Sequence, residues 1–306
     1  MFPRSAEKRV RVSVVTECQV RGHLYVSAAP ESGKALGAYL VMRNPLPYVP
    51  PMWRESRIGF ELAGLMRSGV WRGDGVADGE GQPVMLISGL LAGDHSLNLM
   101  ARWLKRTGHR PCRAGIAFNV DCSQRAADQL EDRLESLAEK TGQKVALVGQ
   151  SRGGSFARVL AVRRPDLVSG IVTLGSPLEY PLAVHPLVRA SVFGMGALGT
   201  AGLDGFMRRS CLWGDCCADY WADSRSGFPS GVGFVSIYSR TDGIVKWRAC
   251  LDPAAEQVEV RASHIGMGVN AEVYEAIAAS LEGLRAAEAG KPARKATQRR
   301  HLRLAA

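Results

Sequence analysis

No apolar run in the sequence is long enough to cross a bilayer. The longest, residues 190–203, falls well short of the ~20 residues that a spanning helix requires. The opening Met-Phe-Pro-Arg-Ser-Ala-Glu-Lys-Arg lacks the apolar centre of a secretory signal. These two absences exclude a polytopic membrane protein and lead to the expectation of a cytoplasmic location. There is no internal repeat, no heptad pattern and no low-complexity run ahead of the C-terminal tail, which excludes a solenoid, a coiled coil and a disordered chain. A phosphate-cradling loop is missing as well, because Gly33-Lys34 is followed by Ala35 and lacks the upstream glycine. Apolar residues at 46% and charged residues at 22% are ordinary for a globular protein.

The seven cysteines (18, 112, 122, 211, 216, 217 and 250) show no zinc-type spacing that includes histidine, so no metal is expected. An odd number in a cytoplasmic chain reads first as buried reduced thiols. A local bridge between Cys211, Cys216 or Cys217 and Cys250 is the second reading, since three of these four fall in one short stretch. The net charge of +10 at first suggests an anionic partner. Residues 285–306 supply +6 of it and residues 1–12 another +3, leaving +1 for everything between. The excess therefore lies in a basic, disordered-type tail over 286–306 and in the N-terminus, and no nucleic-acid partner is expected of the body.

From residue 83 onward, short apolar runs alternate with helical patterns, the sign of a mostly parallel α/β sheet with helices on both faces. Strands are predicted at 83–88, 115–120, 144–148, 170–174, 233–238 and 257–261. A helix from Ser96 carries Leu97, Met100 and Leu104 on one face and stops at Gly108. Another is capped by Ser123, carries Leu130, Leu134, Leu137 and Ala138, and ends at Gly142. Helices are also predicted over 154–163 and 271–284. Between Gly175 and Val232 no strand is evident, so a cap insertion is expected at about 178–231. Residues 1–82 form an N-terminal extension that packs on the catalytic domain or precedes it. Within it 9–28 looks strand-like, and Ile58, Leu62, Leu65 and Met66 mark a helix ending at Gly69.

Gly149-Gln150-Ser151-Arg152-Gly153-Gly154 stands between an apolar strand and a helix. In that setting G-x-S-x-G describes a sharp strand-to-helix turn that pushes its serine out at the carboxyl edge of the sheet. A serine hydroxyl needs a base to attack, and the base needs a carboxylate to orient it. Of the histidines after Ser151, His185 precedes most of the cap and His301 sits in the tail. His264 follows the last predicted strand and is the candidate base. Asp242, in the turn Ser239-Arg240-Thr241-Asp242-Gly243, is the first candidate for the acid, and Asp252 in Leu251-Asp252-Pro253 is the second. The backbone N–H groups of Leu90 and Arg152 are the candidate oxyanion donors. His95 reads as a structural hydrogen-bonder.

Four motifs in order resemble the α/β hydrolases, in the lipase and carboxylesterase branch: Ser88-Gly89-Leu90-Leu91-Ala92-Gly93-Asp94, Gly149 to Gly154, Tyr238 to Gly243, and Gly266-Met267-Gly268 after Ser263-His264. The resemblance spans about residues 83–285. It implies an α/β-hydrolase fold, a Ser151/His264/Asp242 triad, an acyl-enzyme intermediate, no metal and no organic cofactor. Gln150 and Ser88 depart from the residues usual at their places. The expected substrate is a small-molecule ester with an apolar acyl or aryl group, because Phe193, Phe206, Trp213, Tyr220, Trp221 and Phe228 crowd the cap. Trp213, Trp221 and Leu91 are the candidate substrate contacts, and the cap is expected to touch lipid surfaces weakly at most. A thioester, lactone or amide would suit the same triad. From another class, a non-catalytic scaffold whose basic tail binds an anionic partner is the competing reading.

Overall fold

The computed structural model describes residues 48–290, apart from Gly214 and the side chain of Trp213. The strand-like segment 9–28 and the tail beyond 290 lie outside the described residues. After a 3-10 turn at Met52–Arg57, the chain forms α1 (Ile58–Arg67) and α2 (Gly69–Arg72). There follow β1 (Pro83–Ile87), α3 (Asn98–Arg106), β2 (Arg110–Arg113), α4 (Ser123–Thr141), β3 (Val145–Gln150), α5 (Arg152–Arg163) and β4 (Val168–Leu174). The excursion between β4 and the next strand holds α6 (Pro186–Thr200), α7 (Ser210–Trp213) and α8 (Ala218–Arg225). The chain then returns through β5 (Gly233–Ser239) and β6 (Glu256–Val260) to α9 (Ala271–Glu288).

All six strands pair in parallel, in the order β2-β1-β3-β4-β5-β6. Successive side chains of a strand face opposite ways, and both faces here are apolar. Met85, Ile87, Val145 and Leu147 face one core with α4 and α5, while Val84, Leu86, Ala146 and Val148 face the other with α1, α3 and α9. The helices obey their own period. In α4 the buried positions are Ala127, Leu130, Leu134 and Ala138, and Gly142 ends the helix at φ 63.

One predicted strand is misplaced. Residues 115–120 form a loop, and the strand beside β1 is the polar Arg110-Pro111-Cys112-Arg113. Being at the sheet edge, β2 needs neither an apolar run nor every ladder hydrogen bond, so Pro111 and two arginines are tolerated there. The α4 cap differs by one residue, since the N-cap is Cys122 and Ser123 is already helical. In α1 the buried side chains are Glu61 and Leu65, whereas Ile58 and Met66 are exposed. Among the described residues no helix is long and apolar enough to cross a membrane.

Trp103 of α3 is fully buried, packs against Tyr274 of α9 with the rings tilted and 4.7 Å between their centres, and donates its Nε1–H to the Val70 carbonyl at 2.7 Å. Trp103→Ala should therefore lower unfolding free energy by about 3–5 kcal/mol in urea titration. Trp53→Ala, at a ring that is 72% exposed, should stay within about 0.5 kcal/mol.

Candidate active site

Ser151 lies where β3 turns into α5, with φ 53 and ψ −123. A non-glycine residue at such angles costs about 1–3 kcal/mol and persists only where its surroundings dictate it. Here they do. The helix crosses so close to the strands that a Cβ on Gly149 would lie 2.4 Å from the Gly153 carbonyl oxygen. One on Gly153 would lie 2.2 Å from the Ile87 carbonyl oxygen. The Ser151 N–H donates to the Leu174 carbonyl at 2.8 Å, locking the turn to β4.

Asp242 and His264 sit in the loops after β5 and β6, at the same carboxyl edge of the sheet. His264 Nδ1 lies 2.7 Å from Asp242 Oδ2. The other carboxylate oxygen accepts from the Ile244 and Val245 N–H groups at 2.8 and 2.7 Å. Both side chains are buried. Burial alone would depress the His264 pKa, but contact with the Asp242 carboxylate, helped by Glu55, raises it above the ordinary histidine value. Asp252, the second candidate acid, ion-pairs with Arg158 at 2.9 Å instead.

Glu55 and Glu61, which the motifs did not single out, hold this pair in place together with Gln150. Glu55 Oε1 accepts from the His264 and Gly243 N–H groups, both at 2.9 Å, and its Oε2 accepts from Ile265 N–H at 2.8 Å. Glu61 takes the Ser263 N–H at 2.7 Å on one oxygen and the Ser263 hydroxyl at 2.6 Å on the other. Gln150 Nε2 donates to the His264 carbonyl at 3.0 Å, tying the serine turn to the histidine loop. The one available signal in the sequence was a glutamate, Glu61, on the same helical stripe as Leu65.

On the opposite side, Arg152 begins α5, so its N–H has no acceptor within the helix. Among the described residues neither that group nor the Leu90 N–H has a protein acceptor. The Arg152 guanidinium is committed elsewhere: it donates to the Asn119 carbonyl and Oδ1, the Asp121 carbonyl and the Ser123 hydroxyl at 2.7–3.1 Å. A cleft opens beside Ser151, Leu90 and Arg152, with Leu182, Val192, Leu212 and Trp221 among its walls.

Of the expected substrate contacts, Trp221 lines the cleft. Leu91 does not; its φ of 60 turns the side chain outward, where it is 45% exposed. The side chain of Trp213 lies outside the described residues. His95 is exposed and its imidazole has no hydrogen-bond partner among the described residues, contrary to its expected structural role. Cys250 is buried beside Val184, Tyr238 and Val245, apart from Cys211, Cys216 and Cys217, so the bridge of the second reading does not form. All six described cysteines are free.

Residues 82–196 match the family described as alpha/beta hydrolase fold. A triacylglycerol lipase of Vibrio cholerae is 34% identical over 116 residues, which cover 36% of this chain and 36% of that protein. The match thus spans about a third of the relative's length. Among solved structures, the mature form of lipase BlEst2 from Bacillus licheniformis superposes with a TM-score of 0.51 at 15% identity, over 67% of this chain and 94% of that one. The fold is that of the α/β hydrolases, and the chain resembles lipases and esterases.

Removing the Glu61 carboxylate would strand the buried Ser263 N–H and hydroxyl. Glu61→Ala should lower stability by about 1–3 kcal/mol, read as a shift in the urea midpoint at constant slope.

Proposed function

We propose that this α/β-hydrolase chain is a serine hydrolase that cleaves carboxylic esters through an acyl-enzyme on Ser151. The observation that carries the reading is the 2.7 Å contact between His264 Nδ1 and the buried Asp242 carboxylate, at the sheet edge where Ser151 is forced out. Asp242 accepts from Nδ1–H, which leaves Nε2 as the basic nitrogen. Nε2 takes the Ser151 proton as Oγ attacks the ester carbonyl carbon. The negative charge on the former carbonyl oxygen is received by the Leu90 and Arg152 N–H groups, which have no acceptor among the described residues. The imidazolium then protonates the leaving alkoxide as the tetrahedral intermediate collapses. Water repeats the sequence on the acyl-enzyme, releasing the acid and restoring Ser151.

The walls of the cleft favour an apolar acyl or aryl group. Leu182, Val192, Leu212 and Trp221 offer it hydrocarbon surface and few polar partners. The excursion between β4 and β5 acts as the cap over this cleft. Leu187, Leu198 and Leu203 are 63, 44 and 48% exposed on α6 and just beyond it, a face suited to weak contact with a lipid surface. Hydrolysis of a p-nitrophenyl ester series, with and without dispersed lipid, should show preference for medium or longer acyl chains.

Ser151→Ala should reduce ester turnover by about 10³-fold or more and abolish labelling by a fluorophosphonate probe, with the fold retained in circular dichroism. A wild-type chain that neither labels nor hydrolyses would instead promote the scaffold reading.

The base must be neutral to accept a proton, so kcat/KM should rise with pH through the His264 pKa. Because that pKa is raised, the acid limb should be centred above about 6.5. Glu55→Gln keeps an acceptor but removes a charge that favours imidazolium, and should move the limb to lower pH.

A further inference from the structure

We propose that Cys122, Cys211, Cys216 and Cys217 form a tetrathiolate site for one zinc ion, which fastens the cap to the catalytic body. The four sulfurs lie within 4.8 Å of one another. Cys211 and Cys216 are 3.3 Å apart, Cys122 and Cys217 3.4 Å, Cys216 and Cys217 3.7 Å, and Cys122 and Cys216 4.0 Å. A tetrahedron with Zn–S bonds of about 2.3 Å has edges of about 3.8 Å, so the sulfurs already stand near the corners that such an ion requires. Linear spacing concealed the set, because Cys122 is 94 residues from Cys216 in the chain and meets it only through the fold.

A second observation points the same way. The surroundings are arranged for negative charge on sulfur. Cys122 is the N-cap residue of α4, beside first-turn N–H groups that have no acceptor within the helix. Arg208 N–H donates to Cys211 Sγ at 3.2 Å. The Arg152 guanidinium is buried close to Cys122 and Cys217 and, among the described residues, is hydrogen-bonded only to neutral oxygens. Four thiols would bind Zn²⁺ with loss of four protons to solvent, leaving a complex of charge −2. The helix N-terminus and Arg152 offset that charge. Disulfides carry no charge and would offset none of the charge of the buried Arg152. Thiolates select zinc over harder cations, and Cys216, which is exposed, gives the ion an entrance while the other three are buried.

The consequence reaches the cleft. Leu212, Tyr220 and Trp221 line it and belong to the segment that three of the cysteines hold. Cys122 borders the loop whose Asn119 and Asp121 anchor Arg152.

The full-length protein, purified under reducing conditions without chelator, should contain one zinc per chain by mass spectrometric elemental analysis. Cys122→Ser and Cys217→Ser should each lose it, and Cys112→Ser should keep it. Cobalt exchanged into the wild-type chain should give the intense visible and near-ultraviolet bands of a tetrahedral tetrathiolate complex, a readout that does not depend on the variants folding. Chelation should lower the melting temperature, and added zinc should restore it. A reduced wild-type chain that binds neither zinc nor cobalt would overturn the proposal. So would an intact mass two or four daltons low, which marks disulfides in their place.

Discussion

The crossing of α5 over β3 and β1 is the constraint on which the rest of the site depends. Helix and strands approach so closely that two backbone carbonyls occupy the space where side chains at 149 and 153 would stand. The turn between them is forced into angles that serine would not adopt freely, and the Ser151 N–H bond to β4 holds it there. That strain is stable because it is supported by the buried central strands of the parallel sheet. It places the hydroxyl at the carboxyl edge, where the loops after β1, β5 and β6 also end.

The two flanks of Ser151 are braced by different chemistry. On the histidine side the braces are carboxylates from the N-terminal segment. Glu55 gathers three N–H groups from the two loops that carry Asp242 and His264, and Glu61 holds Ser263 beside them. Hydrogen bonds from backbone to an ionised acceptor are among the stronger ones, and each of these joins the first turns of the described chain to its last loops. The position of the histidine thus depends on residues about 200 places earlier. On the other side the brace is the cation of Arg152, spread over the loop 119–123. The thiol cluster that we assign to zinc lies against the same loop and secures the cap wall from outside.

Much of this was legible in the sequence, and for identifiable reasons. The apolar runs of β1, β3, β4 and β5 are buried on both faces, so composition alone marks them. The glycines around Ser151 announce a backbone crossing, and the position of His264 after the last strand singled it out from the other histidines. Where the reading failed, the local signal was weak or belonged to another element. The edge strand β2 is polar because an edge does not demand apolar residues, and the apolar stretch beside it became a loop. Leu91, a candidate substrate contact, has a positive φ that turns it to solvent.

The sequence by itself determined the alternation of elements, the strand-to-helix turn at Ser151 and the order in which Ser151, Asp242 and His264 follow one another. These depend on short-range periodicity and on steric limits within a few residues. Only the tertiary structure decided which carboxylate meets His264, that Glu55 and Glu61 support its loop, and that Cys122 rather than Cys250 joins the cysteines of the cap. Such pairings depend on distances of a few ångströms between residues far apart in the chain. A sequence states which groups are available, but the packed sheet and its loops set which of them come within reach of one another.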